Sequence, residues 1–354
     1  MLATSLRNTS RMATVCSPFS KAVVSCMQKM YPESLADKSF DNTGLLLEAP
    51  LNKHRRLKNS VLLTVDLTKA VADEAIARGD SIIIAYHPII FRGLKALTLA
   101  NSQQKSLLRL AQEGISVYSP HTAVDATPGA MADWLCQCAV PSSVQPRPTT
   151  ETIYPSPDPP VDPDFKDAGM GRKITFKQPL PLNDIIGSIA KTALPQSNVI
   201  GTYPEHTVGF SIAIPQGSSV SDITISSVAA CPGSGSSILM KSGTPVADLL
   251  LTGELSHHEA LAAIEAGSVV ITLSHSNSER GFLQRYMHST LHERLSREWR
   301  GVCADNDLGR HVKDESPEGQ MLKQIFADDS VCVDVSKSDR DPYQVVCWRN
   351  GSEV

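Results

Sequence analysis

Short apolar runs alternate along this chain with helical stretches, and that alternation restricts the fold more than any other feature. Ser60-Val-Leu-Leu-Thr-Val-Asp66 reads as a buried strand, and Thr68 to Arg78 reads as a helix closed by Gly79. Ser81-Ile-Ile-Ile-Ala-Tyr86 is the next strand. After Pro88-Ile-Ile-Phe91 the pattern predicts a helix over about Gln103–Gln112, ended by Gly114, then a strand at Ile115-Ser-Val-Tyr118 and a helix near Ala130–Cys138. Strand and helix taking turns in this way is the signature of parallel α/β units.

The pattern breaks between Pro141 and Pro163, which hold eight of the 23 prolines. A stretch such as Tyr154-Pro-Ser-Pro-Asp-Pro-Pro160 supports neither helix nor central strand, so residues 146–168 are expected to form a linker. Residues 169–245 change character, with strands at Arg172–Phe176, Thr207–Ile214 and Ile223–Cys231 and a helix at Leu182–Thr192. They are expected to be a smaller α+β insert. A buried strand at Val246–Thr252, a helix over Glu254–Ala266 and a strand over 268–273 follow. Further on come a helix at Gly281–Glu298, a mobile polar insertion at Cys303–Gly319, and a terminal hairpin of Ser330–Val335 with Gln344–Cys347. The expected plan is an α/β (α+β) protein: residues 21–145 with 246–354 form a discontinuous α/β domain, interrupted by the insert.

At 354 residues and 41% hydrophobic content the chain can bury two cores. A net charge of −4, with Lys53-His-Arg-Arg-Leu-Lys58 as the one basic cluster, gives no electrostatic footprint for direct nucleic-acid binding. No apolar run approaches the ~18–20 residues of a membrane helix. Eight scattered cysteines without a CxxC pair suit a reducing compartment, and Cys136-Gln-Cys138 reads as packing. The first 32 residues lack Asp and Glu and are rich in Ser and Thr, so residues 1–20 read as a flexible leader or a mitochondrial transit peptide. Cytoplasm is the default location and mitochondrion the alternative.

In an open α/β sheet, ligands gather beyond the carboxyl ends of the strands. Five such ends here finish in polar groups: Asp66; His87; His121 with Asp125; Glu254 with His257 and His258; and His275 with Glu279. Imidazole nitrogens and carboxylates form the donor set for zinc, iron or manganese in an open site. His275 and Glu279 share a face, and can ligate together, if their segment opens a helix. Asp66 reads more simply as a turn or a cap for the helix from Thr68, and one of His257 and His258 as packed or capping. Asp41-Asn-Thr-Gly44 is ordinary turn chemistry. Cys231-Pro-Gly-Ser-Gly-Ser-Ser237 has the glycines of a phosphate cradle but not the Gly-Lys-Ser/Thr ending of a P-loop, so it reads as a tight turn.

Six strings together resemble the Nif-three-like proteins, also labelled GTP cyclohydrolase I type 2 homologues. They are Asp41-Asn-Thr-Gly-Leu45, Tyr86-His-Pro-Ile-Ile-Phe91, Ser119-Pro-His-Thr-Ala-Val-Asp125, Gly253-Glu-Leu-Ser-His-His258, Ser274-His-Ser-Asn-Ser-Glu-Arg280 and Asp339-Arg-Asp-Pro-Tyr343, in order over most of residues 20–350. The resemblance implies a divalent-metal site of one or two ions held by His87, Asp125, His275 and Glu279. It also implies a homohexamer and a middle domain that interrupts the metal-bearing one. Tyr86 stands where many bacterial members carry a further histidine.

The combined expectation is a metal-dependent hydrolase for a small or nucleotide-like substrate, with Glu254, His258 and His121 as candidates for proton transfer or for orienting the ligands. No guanine-recognition motif supports the cyclohydrolase label. The rival expectation is a regulatory protein with a transcription-related partner and a structural or storage metal.

Overall fold

The computed structural model describes residues 15–194, 199–200, 208–305, 316–346, 348–349 and 352–353. Its first sheet has five strands. Ser60–Thr64 (β2), Ile82–Ala85 (β3) and Ser116–Ser119 (β4) run parallel, as the alternation predicts, and Gly44–Leu47 (β1) pairs antiparallel with β4. The side chains divide with the period of two that strands impose. Val61, Leu63, Ile82 and Ile84 face one core with helix α1 (Pro18–Met30), and Leu62, Ile83 and Val117 face another with α2 (Lys69–Arg78) and α3 (Ser102–Glu113). Thr68 caps α2 by accepting from the Val71 N–H, and Gly79 and Gly114 end α2 and α3 in left-handed conformations.

Two short helices, α4 (Thr122–Ala126) and α5 (Met131–Cys138), lead out of this sheet. The chain then builds a second sheet of six strands. Glu151–Pro155 (β5) and Gly169–Pro181 (β6) are antiparallel; after α6 (Leu182–Thr192) and the two-residue strand β7 (Val199–Ile200) comes Ser211–Ala213 (β8), then the long Thr224–Ser234 (β9). A helical turn, α7 (Ser236–Leu239), and the small ladder of β10 (Met240–Lys241) with β11 (Thr244–Pro245) precede Leu249–Glu254 (β12), helix α8 (His257–Glu265) and Val269–Thr272 (β13). The order is β5-β6-β9-β12-β13-β8, with β9, β12 and β13 parallel. Helices α5 and α6 cover one face through Leu135, Ile185 and Ile189, and α8 covers the other through Ala263.

The chain leaves the first sheet after β4 and does not rejoin it near residue 246. Strand β12 pairs with β9 and β13 lies between β12 and β8, and the strand that returns is Cys332–Val335 (β14), parallel to β2. The sheets are therefore divided after β4 and again before β14. The apolar runs at 249–254 and 269–272 are as hydrophobic as those of the first sheet, and such runs carry no mark of which sheet they join. Two further expectations change. The proline-rich stretch contains β5, whose place at the sheet edge suits residues that cannot donate to a ladder on both sides. The terminal hairpin does not form, because β14 pairs with β2 while Val345–Val346 pairs with β7. The segment expected as a mobile insertion includes the start of the helix Pro317–Phe326, and its residues 306–315 lie outside the described ones, as do residues 1–14 of the expected leader.

One buried cation ties the second sheet to the two helices that lead out of the first. Arg172 on β6, 1% exposed, meets the Asp133 carboxylate of α5 at 2.7 Å and donates to the carbonyls of Gly169 at 2.6 Å, Gly171 at 3.0 Å and Ala126 at 3.3 Å. The Trp134 ring beside it packs against both cores.

Candidate metal centre

The strand ends of both sheets open on one cavity of about 1200 Å³, lined by Asp66, His87, His121, Asp125, Gly233, His275 and Glu279 among others. His87 follows β3, and His275 follows β13 after Ser274, whose φ of +69° turns the chain into the cavity. The segment does open a helix, α9 (Asn277–Phe282), which places Glu279 one turn after His275. Nitrogen and oxygen ligand atoms of His87, His275 and Glu279 all lie within 4.8 Å of one another.

Glu279 is 1% exposed, and its Oε2 lies 3.3 Å from His87 Nε2 without making a hydrogen bond to any described residue. Its Oε1 lies 3.7 Å from His275 Nε2. A buried carboxylate so placed is stabilised by positive charge, from a protonated imidazole or from a bound cation. Burial works against a charged His87, but the Glu279 and Asp66 carboxylates outweigh it and push its pKa up to about 10. The pocket thus draws positive charge to the point between the three side chains.

The other ring nitrogens follow one rule. His87 Nδ1 meets Asp66 at 2.9 Å, His275 Nδ1 meets Glu254 at 2.9 Å, and His121 Nδ1 meets Asp41 at 2.6 Å. A carboxylate that holds the Nδ1 proton leaves Nε2 as the lone-pair donor, and histidines that bind metal are usually oriented this way. Burial pushes the Asp66 carboxyl up, but its bond and charge interaction with His87 bring it below the usual carboxylate range. Asp41 follows the same balance with His121 and Thr122.

Asp125 lines the cavity but stands outside the three-residue cluster. Both of its oxygens face the Tyr86 hydroxyl, at 2.7 and 2.9 Å. Burial raises its pKa to about 7, with Glu279 adding to the rise and His121, Tyr86 and His87 opposing it. Burial and the charges of Asp125 and Glu279 hold Tyr86 well above its ordinary value, so it stays a phenol and donates. His258 is not brought to the cavity. It is exposed at the start of α8, with its ring centroid 5.3 Å from that of His257, where Ser256 rather than a histidine caps the helix. Glu254 and His121 are brought to the site as orienting and lining groups.

Several residues of the site were not legible as such. Asp66 reads as a cap, but Thr68 is the cap and Asp66 serves His87. Asp41 reads as turn chemistry, yet it holds His121 and accepts from the Thr122 N–H at 3.2 Å and hydroxyl. Gly233 is a tight turn at φ +60°, and its N–H donates to the Ser278 hydroxyl at 2.8 Å instead of cradling an anion. A Cβ there would stand 2.8 Å from Glu279 Oε1 and 3.0 Å from His275 Nε2, so only glycine lets the β9 loop close over these two side chains. Asp339 joins Arg280 of α9 at 2.9 Å and the Val65 N–H of the first sheet at 2.8 Å, which fixes one half of the site against the other.

A sequence model of the family described as Duf34/NIF3 (NGG1p interacting factor 3) matches residues 20–304. The chain belongs to the Duf34/NIF3 family. It is 43% identical over 295 residues to the NIF3 homolog of Schizosaccharomyces pombe, covering 83% of this chain and 94% of that protein. It is 38% identical to the NGG1-interacting factor 3 of Saccharomyces cerevisiae, covering 77% and 90%. A solved Bacillus cereus protein described as related to NIF3 has the same fold, with a TM-score of 0.61 over 92% of this chain and 98% of that one, at 17% identity. Among the described residues, no helix is long and apolar enough to cross a membrane.

Proposed function

We propose that this Duf34/NIF3 protein is a metal-dependent hydrolase, with one divalent cation held by His87 Nε2, His275 Nε2 and Glu279. The observation that carries this reading is the Glu279 carboxylate, buried between two imidazoles whose outer nitrogens are each held by a carboxylate of their own. Zinc, iron or manganese suits this mixed nitrogen and oxygen set. Such an ion supplies a Lewis acid able to polarise a carbonyl or phosphoryl oxygen. The chain's own residues do the rest: Asp66 and Glu254 orient the ligands, and Asp41 fixes His121 at the cavity wall. Tyr86, whose hydroxyl donates to Asp125, stands where a further imidazole would serve a second ion, which supports one ion over two. Elemental analysis of purified protein tests the reading, with about one equivalent of metal expected and none in the double variant His275→Ala/Glu279→Ala. A wild-type protein without stoichiometric metal would sink it.

A second reading, a regulatory protein with a transcription-related partner, is favoured by the name of the yeast relative. Complementation by the same double variant, correctly folded, would support it against chemistry. A homohexamer follows from the family resemblance and a mitochondrial alternative to the cytoplasm from the leader composition; light scattering and cell fractionation test them.

A further inference from the structure

The cavity is far larger than an ion needs, and at about 1200 Å³ it is of the size that takes an organic ligand. Two features of its wall are unused by the metal centre. The first is Arg340. Its neighbours are clamped: Asp339 is bound by Arg280 and the Val65 N–H, and Asp341 accepts from the Ser276 hydroxyl and the Tyr343 N–H, each at 2.9 Å. The guanidinium between them makes no hydrogen bond or ion pair with any described residue. Lys69, the other long cation of the wall, is taken by Asp73 at 2.7 Å. The carboxylates Asp66, Asp125 and Glu279 already face His87, Tyr86 and the two imidazoles.

The second feature is the pair Phe40 and Phe91. Both line the cavity, they are 52% and 45% exposed, and their ring centroids lie 6.3 Å apart at 44°. The Asn42 side-chain amide donates to the Ile90 carbonyl and ties together the two segments that carry them. Phe91 also stands edge-on to His121, with centroids 6.4 Å apart.

We propose that the cavity recognises a flat organic oxyanion, a phosphorylated or carboxylated ring, with Arg340 holding the oxyanion and the Phe40–Phe91 pair holding the ring. The proposal deepens the hydrolase reading, because it names the substrate class for the same cavity. A guanidinium fork matches carboxylate and phosphate oxygens in a bidentate fashion, and aromatic faces add stacking at small entropic cost. Arg340 is fixed at its backbone and free at its head, which suits a recognition group that engages only when ligand arrives.

The test is calorimetric titration of phenyl phosphate and of benzoate into zinc-reconstituted and chelator-stripped protein, with inorganic phosphate and benzyl alcohol as half-ligands. Arg340→Ala is expected to weaken the better of the two oxyanions by about tenfold or more, the loss typical of a hydrogen bond to a charged group, in both metal states. The double variant Phe40→Ala/Phe91→Ala is expected to weaken phenyl phosphate severalfold and leave inorganic phosphate unchanged. Melting curves check that these surface changes leave the fold intact. The proposal is overturned if neither oxyanion binds, if Arg340→Ala binds as wild type, or if binding disappears with zinc alone, since the anion then sits on the ion. Arg340-dependent binding in a protein that takes up no zinc would sink the metal reading and leave this one standing.

Discussion

The two sheets contribute matching halves to the candidate metal centre, and the halves differ in exposure. On the first sheet, the side chains of His87 and Asp66 are 22% and 34% exposed, and those of His121 and Asp41 are 14% and 0%. On the second sheet, His275 and Glu254 are 41% and 58% exposed. The same imidazole–carboxylate device is thus built twice in a sheltered wall and once at the rim. A shared device with unequal shelter sets unequal energetic weight, because a charge pair gains strength as water is excluded. Glu279 arrives with the exposed half but lies buried against the sheltered one.

The comparison can be broken most severely at the joint. Arg172→Met leaves Asp133 without its cation in a buried setting, and about 3–5 kcal/mol of stability should be lost, read by urea denaturation. A loss under 1 kcal/mol would show that the sheets dock without this tie. Gly233→Ala should come next. Its Cβ intrudes on Glu279 and His275 together, so metal affinity should fall with little change in secondary structure, as read by competition with a chromophoric chelator. An unchanged affinity would mean that the β9 loop does not cover the site.

The unequal halves themselves are compared by Asp66→Asn and Glu254→Gln. Loss of an orienting carboxylate typically costs 10- to 100-fold in metal affinity, and Asp66→Asn should fall in that range while Glu254→Gln falls below it. The reverse order would overturn the argument from shelter. The smallest effect concerns Glu74 of α2, which accepts from the Ser336 hydroxyl and from the Lys337 and Ser338 N–H groups. Burial raises its pKa, but those bonds outweigh it and hold the carboxyl below the ordinary 4.5. A lowered pKa gives stability that is present above the unfolded value and lost as pH falls through the folded one. Melting temperature should therefore drop on acidification below about pH 4.5 more steeply in wild type than in Glu74→Gln.

Much of the first sheet was legible because parallel strands buried on both faces read as apolar runs punctuated by glycine, as at Ser60–Tyr86. The candidate ligands were legible in part for the same reason, since His87, His275 and Glu279 stand where such runs stop. Their partners were not. Asp66 and Asp41 lie 21 and 80 residues from the histidines they hold, and nothing local distinguishes an orienting carboxylate from a turn residue. Sheet membership was hidden as well, because Leu249–Glu254 and Val269–Thr272 would satisfy either sheet, and only the pairing with β9 decides. Asp125, expected as a ligand, lines the cavity with both oxygens facing the Tyr86 hydroxyl, a tertiary contact that spacing cannot encode.

The placement of His87 on one sheet and of His275 with Glu279 on the other makes the proposed ion a clasp. Whatever binds only the docked arrangement also stabilises it, and the two effects are equal in free energy. Chelation should then loosen the seam at Arg172, and slackening that seam should release metal, so occupancy and cohesion become two readings of one quantity.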